Sequence, residues 1–265
     1  MVAVCAVGLA LLWRSEPTYQ GKRLSEWAQQ FGTNNWSANR AQAKEAEFAI
    51  QQIGTNAIPL LLELAGTRDS ALKKRLRGVV PRKWHDRFRL RDNFGELRRT
   101  GAHGLAALGT NAAAAVPGLM EIATNHPDED ARYVAIFALR TLGSVSEPAI
   151  PLLVRCLTNN AGITNQLDII RDEAAIGLGS IRRQPETCVP ALIQYAEFAK
   201  GLSSAIELRD ALGALALFGK DAKAAAPLFL SLTNHPDRDV RDHVATYLPM
   251  IDAEAAAKAG VGRKQ

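Results

Sequence analysis

One unit near the C-terminal end constrains this chain more than any other feature. Between Phe218 and Leu248 it reads as a break at Gly219, an apolar helix headed by Pro227, the polar turn Thr233-Asn234-His235-Pro236-Asp237, and a second helix running through Arg241 and Leu248. Prolines that head such leading helices recur at Pro59, Pro117, Pro151, Pro190 and Pro227, at intervals of 58, 34, 39 and 37 residues. The last three intervals sit near the period of about 40 residues typical of two-helix repeats, each of which buries its apolar stripe only against its neighbours. The first interval is longer by about half a repeat. Composition agrees with helices: 47% of residues are hydrophobic but only 6% aromatic, Leu and Ala dominate, and strand-favouring runs are scarce.

The second helices carry a matching series, Arg132, Arg171, Arg209 and Arg241, the last three each followed by an aspartate (Asp172, Asp210, Asp242). Asp128 and Asp237 stand four residues before Arg132 and Arg241, one helical turn away, and each is placed to cap a helix start. The spacing predicts an internal Asp–Arg ladder joining successive repeats. A concave, phosphate- or acid-binding row of arginines is the less favoured reading. The phrase Thr-Asn-His-Pro-Asp occurs at 124–128 and again at 233–237, and it suits a turn before a helix better than a metal site. No HExxH, GxSxG, Walker A or dinucleotide fingerprint occurs in the sequence.

With its Val-Pro-x-Leu leading helices, Asp-containing turns and the second helix Ala131-Arg132-Tyr133-Val134-Ala135-Ile136-Phe137-Ala138-Leu139-Arg140-Thr141-Leu142-Gly143, the chain resembles HEAT repeats of the PBS-lyase HEAT-like kind. The resemblance covers residues 40 to 251 apart from one insert. It implies an all-α fold, a right-handed α-α superhelix (a HEAT-like, armadillo-type α-solenoid) of roughly five to six helix pairs. Two departures stand out. Arg209 has Ala205, not an acid, four residues before it, and the repeat from Leu178 to Arg183 has Gly-Ser-Ile-Arg-Arg where Leu-Gly usually closes a second helix.

The long first interval holds most of the net charge of +5. Between Arg68 and Arg99 there are twelve Lys and Arg against four acidic residues, leaving the rest of the chain slightly acidic. The core of this insert interleaves Arg82, Lys83, Arg87, Arg89 and Arg91 with Trp84 and Phe88, a mixture suited to nucleic-acid phosphates and bases or to anionic lipid. The bland alternative, aromatics packed on the repeats with solvated arginines, carries slightly more weight. These seven residues are the candidate binding patch. No catalytic, cofactor or metal residues are assigned, and no small-molecule substrate is indicated.

At the N-terminal end Val2–Trp13 is an unbroken apolar run of twelve residues, shorter than a spanning helix and of signal-core length. It is read as an anchor or uncleaved signal placing the protein at a cell membrane or envelope, with a cytoplasmic location as the alternative. The segment Tyr19-Gln20-Gly21-Lys22-Arg23-Leu24-Ser25-Glu26-Trp27 resembles the lead-in of membrane-anchored bacterial repeat proteins, and Trp27 and Phe31 are expected to cap the first repeat. Domain boundaries follow: 1–20 anchor-like segment and linker, 21–251 solenoid with the insert at 67–99, 252–265 cap and tail. Cys156 and Cys188 are read as apolar-behaving thiols, with a disulfide between them open only to geometry.

The functional expectation is a non-enzymatic scaffold that binds a protein partner. Nucleic-acid or anionic-surface binding through the insert is one alternative. The other is a bilin-lyase-like enzyme or subunit, which the resemblance alone suggests and which would need a tetrapyrrole pocket; HEAT-like DNA glycosylases supply a nucleic-acid variant whose residues find no match here.

Overall fold

Each repeat boundary is set by a backbone conformation that a side chain disfavours. The computed structural model describes residues 16–31, 40–68, 75, 79–81, 84, 94–158, 165–202 and 204–261. Gly54, Gly109, Gly143 and Gly219 have φ of 66°, 55°, 56° and 55°, the left-handed region that ends a helix without a Cβ clash. A short 3₁₀ stretch follows each: Gly54–Ala57, Gly109–Ala115, Gly143–Ala149 and Gly219–Ala225. A leading helix then begins, with Pro59 and Pro227 in first turns where a missing N–H is harmless.

The helices are α1 (Leu24–Ala28), α2 (Arg40–Ile53), α3 (Ile58–Ala65), α4 (Phe94–Ala107), α5 (Val116–Asn125), α6 (Glu129–Thr141), α7 (Ile150–Thr158), α8 (Asn165–Ile181), α9 (Pro185–Ala199), α10 (Ile206–Ala216), α11 (Ala226–Ser231), α12 (Arg238–Ile251) and α13 (Ala253–Lys258). From α3 onward they alternate as leading and second helices. The fold is therefore all-α and built of helix pairs in the HEAT-like α-solenoid manner.

The described residues divide into two compact units. The first comprises those up to Gly118 together with His126–Val134; the second comprises Leu119–Asn125 and those from Ala135 on. In the first unit α3 packs closely along α4, and α2 lies against both α1 and α4. Contact is so close that a Cβ on Gly101 would lie 2.5 Å from the Ala65 nitrogen and the Leu61 carbonyl oxygen. Leu24, Ile50, Leu61 and Leu105 are fully buried there, each worth about 1.5–3 kcal/mol. In the second unit the second helices α8, α10 and α12 pack in sequence, while α7 and α9 form the leading layer. Its core holds Leu139, Leu153, Leu178, Leu192, Leu212 and Phe229.

The first unit opens on an antiparallel ribbon, Thr18–Tyr19 with Lys22–Arg23. Gln20 and Gly21 both take positive φ, 50° and 76°, as a two-residue hairpin turn of the primed type requires. Trp27 and Phe31 are both buried, and the Trp27 indole N–H donates to the Tyr19 carbonyl of the ribbon at 3.1 Å.

The Ile181-Arg182 closure departs from the pattern in a definite way. Arg182 takes φ of 50° where the other boundaries have glycine, and Gln184 does the same two residues later. An α-helix from Pro185 replaces the 3₁₀ stretch, so Pro190 falls inside α9 and not at its start.

The expected membrane or envelope location is corrected. Among the described residues no helix is long and apolar enough to cross a membrane. A span needs about twenty apolar residues; the run Val2–Trp13 lies outside the described residues.

Candidate functional site

Arginine–carboxylate pairs do link successive repeats, but through different residues from those the spacing suggested. In the first unit Arg98, only 2% exposed, donates to Asp128 at 2.7 Å and to Asp130 at 3.0 Å, and its Nε and Nη2 both reach the Thr67 carbonyl. Burial would raise the Asp128 carboxyl, yet the Arg98 hydrogen bond and charge outweigh it and hold the group below its ordinary value. In the second unit Arg140 meets Glu173 at 2.8 Å and Arg209 meets Asp239 at 2.6 Å.

The expected pairs Asp128–Arg132 and Asp237–Arg241 do not form these links. Asp237 turns back to cap α12, accepting from the Val240 N–H at 3.1 Å. Arg241 donates to the turn carbonyls of His235 and Pro236, and Arg132 donates to the His126 carbonyl and pairs with Glu129. The histidines of the repeated phrase are turn elements. His126 is buried; its Nδ1 accepts from the Asp128 N–H at 3.1 Å, which leaves Nε2 to donate to the Gly66 carbonyl at 3.2 Å. His235 Nδ1 accepts from the Asp237 N–H in the same way.

Of the candidate basic patch, only Trp84 lies among the described residues. It is 41% exposed, and its backbone N–H donates to the Pro81 carbonyl. Arg82, Lys83, Arg87, Phe88, Arg89 and Arg91 lie outside the described residues.

The densest chemistry lies on the second helices of the second unit. Asp172 and Glu173 on α8 share a neighbourhood with Glu207 and Asp210 on α10. The Tyr195 hydroxyl of α9 donates to Asp172 Oδ1 at 3.2 Å, and Tyr195 stacks on the half-exposed Phe198, whose ring also carries the Arg171 guanidinium at 5.1 Å. Burial first, and then the Asp210 carboxylate, push Asp172 up to about 7, against the downward pull of the Tyr195 hydrogen bond. Asp210 is also raised, by burial, against the charges of Arg209 and Arg140. Glu207 Oε2 is buried without a hydrogen-bond partner among the described residues. Like charges are thus held together in a partly dry place, an arrangement that favours an incoming ammonium or guanidinium.

Sequence reasoning saw Asp172 and Asp210 only as companions of the arginine series. The signal was there in the repeated Arg-Asp dipeptide, which sets the aspartate about 100° round the helix from the arginine. Among the described residues no group of three or more His, Cys, Asp or Glu is placed to hold a metal ion. Cys156 and Cys188 are free thiols, both pushed up to about 11 by burial.

Residues 131–159, from the second helix α6 through the leading helix α7, match the family model of the PBS lyase HEAT-like repeat. That stretch is a HEAT-like repeat, and the helix pairs on either side of it are built in the same manner. A search of curated proteins finds no match.

Proposed function

We propose that the protein is a repeat scaffold whose second unit binds a protein partner through its second-helix face, and that the partner offers a basic segment there. The supporting observation is the crowding of Asp172, Glu173, Glu207 and Asp210 across α8 and α10, offset only in part by Arg140, Arg209 and the buried Arg171. A lysine or arginine entering this face relieves repulsion the fold leaves in place. Successive second helices present such groups at repeat spacing, the way solenoids bind extended segments. The word lyase in the repeat's name describes other proteins and brings no activity to this chain by itself.

The test is the affinity of the full chain for an arginine-rich peptide as a function of pH. Binding is expected to tighten through about pH 7 as Asp172 loses its proton, and to weaken when Asp172→Asn and Asp210→Asn are combined. Affinity unchanged by the double substitution would remove the reading.

A second reading rests on the charge excess of 68–99 and the half-exposed Trp84: nucleic-acid binding by the insert. Its mark is salt-dependent binding of a single-stranded oligonucleotide that disappears when Arg82, Lys83, Arg87, Arg89 and Arg91 are changed to Gln.

A further inference from the structure

The first unit carries a cleft with no part in the surfaces above. It lies between the N-terminal hairpin and α2, has a volume of about 510 Å³, and is lined by Tyr19, Gln20, Lys22, Trp27, Lys44, Glu45 and Phe48. Three aromatic rings form its apolar part. Tyr19 lies 6.4 Å from Trp27 and 6.3 Å edge-on from Phe48, measured between ring centroids. Phe48 is 54% exposed, an apolar surface the fold leaves uncovered. Lys44 and Phe48 stand one turn apart on α2, so ring and ammonium face the same side. The hairpin brings Lys22 to the opposite wall, with Nζ 4.4 Å from the centre of the Trp27 ring.

We propose that this cleft binds an extended acidic peptide segment carrying an aromatic or branched aliphatic side chain. The rings take the apolar side chain, and Lys22 and Lys44 take flanking carboxylates. Charge complementarity decides the class of occupant. Neither lysine forms an ion pair among the described residues, so both ammonium groups are available to an anion. Glu45 in the same cleft limits how much negative charge it accepts, which favours spaced carboxylates over a dense run of phosphates. The cleft holds one or two side chains, enough for a short motif. The assignment is independent of the second-helix face proposed for the second unit, and either stands if the other fails.

The experiment measures binding of three fluorescein-labelled peptides, EEFEE, EEAEE and KKFKK, to the full chain. EEFEE is expected to bind, and EEAEE to bind about tenfold more weakly, the equivalent of one buried phenyl ring. Phe48→Ala should cost EEFEE a similar factor, and the Lys22→Gln, Lys44→Gln double substitution should both weaken binding and reduce its salt dependence. Phe48, Lys22 and Lys44 are surface side chains, so each variant should keep the parent's melting temperature; if Phe48→Ala does not, the lysine double variant decides. The proposal is overturned if the intact chain fails to bind EEFEE at millimolar peptide, or if KKFKK binds as well. It is overturned equally if EEFEE binding is unchanged in both variants, since the peptide then sits on the basic stretch.

Discussion

Burial of the Arg98 guanidinium, with only 2% of it exposed, leaves no route for water to replace a lost partner. Replacing it with Met would strand the Thr67 carbonyl and separate Asp128 and Asp130 from their counter-charge. Because both carboxylates keep more than two fifths of their exposure, the cost should lie near the low end of the roughly 3–5 kcal/mol seen when a buried pair is broken. Urea denaturation of Arg98→Met against the parent measures it. Asp172 acts in the opposite sense. Its carboxyl ordinarily titrates near 3.8 and in the fold near 7, so the folded state binds the proton more tightly than the unfolded state. The stabilising contribution is complete below about pH 4 and is lost as pH rises towards 7 and beyond. Asp172→Asn removes that dependence. The variant should melt close to the parent at pH 4 and above it at pH 8, and an equal difference at both would contradict the assignment.

Elements close on glycine wherever the pattern holds, and at Arg182 where it fails. A non-glycine residue in this region is disfavoured by roughly 1 kcal/mol, and the exposed Arg182 side chain offers no packing in return. Arg182→Gly should therefore raise stability by about that amount, read as a rise in melting temperature. The α3–α4 crossing depends on the missing Cβ of Gly101, with Ala65 and Leu61 backbone 2.5 Å from where it would stand. Gly101→Ala should cost about 1–3 kcal/mol by forcing the two helices apart, visible as a lower urea midpoint. These elements differ in how plainly the chain announces them. The glycine breaks, leading prolines and capping aspartates were legible because each acts on backbone beside it. Arg98 was not, since an arginine at the end of a basic run looks solvated until α3, α4 and the turn before α6 close around it. The Asp172–Asp210 crowding was equally hidden, because α8 and α10 meet only through packing. Of the arginine series Arg209 pairs with a carboxylate of the next repeat, and the other links come from Arg98 and Arg140, whose partners are set by packing and not by helical spacing.

Across the whole molecule, stability in a repeat protein is a sum of local terms and nearest-neighbour interfaces, so a single unfolding free energy is a poor description of it. Leu61 in the first unit and Leu139 in the second are both fully buried. Leu61→Ala and Leu139→Ala should each cost about 2–5 kcal/mol. Hydrogen exchange should show the loss of protection concentrated in the unit that carries the substitution. Uniform loss over both units in either variant would mean that the molecule unfolds as one.

The Arg98 clamp also has a use beyond stability. By tying the Thr67 carbonyl to a side chain on α4, it fastens the two places where the chain departs from and rejoins the repeat array. Whatever is spliced between Thr67 and Phe94 begins and ends on a fixed base, so its length and content are free to vary with little effect on the helices that frame it. That makes this position a natural splice point for engineering. A reporter domain grafted there should leave the rest of the protein folded.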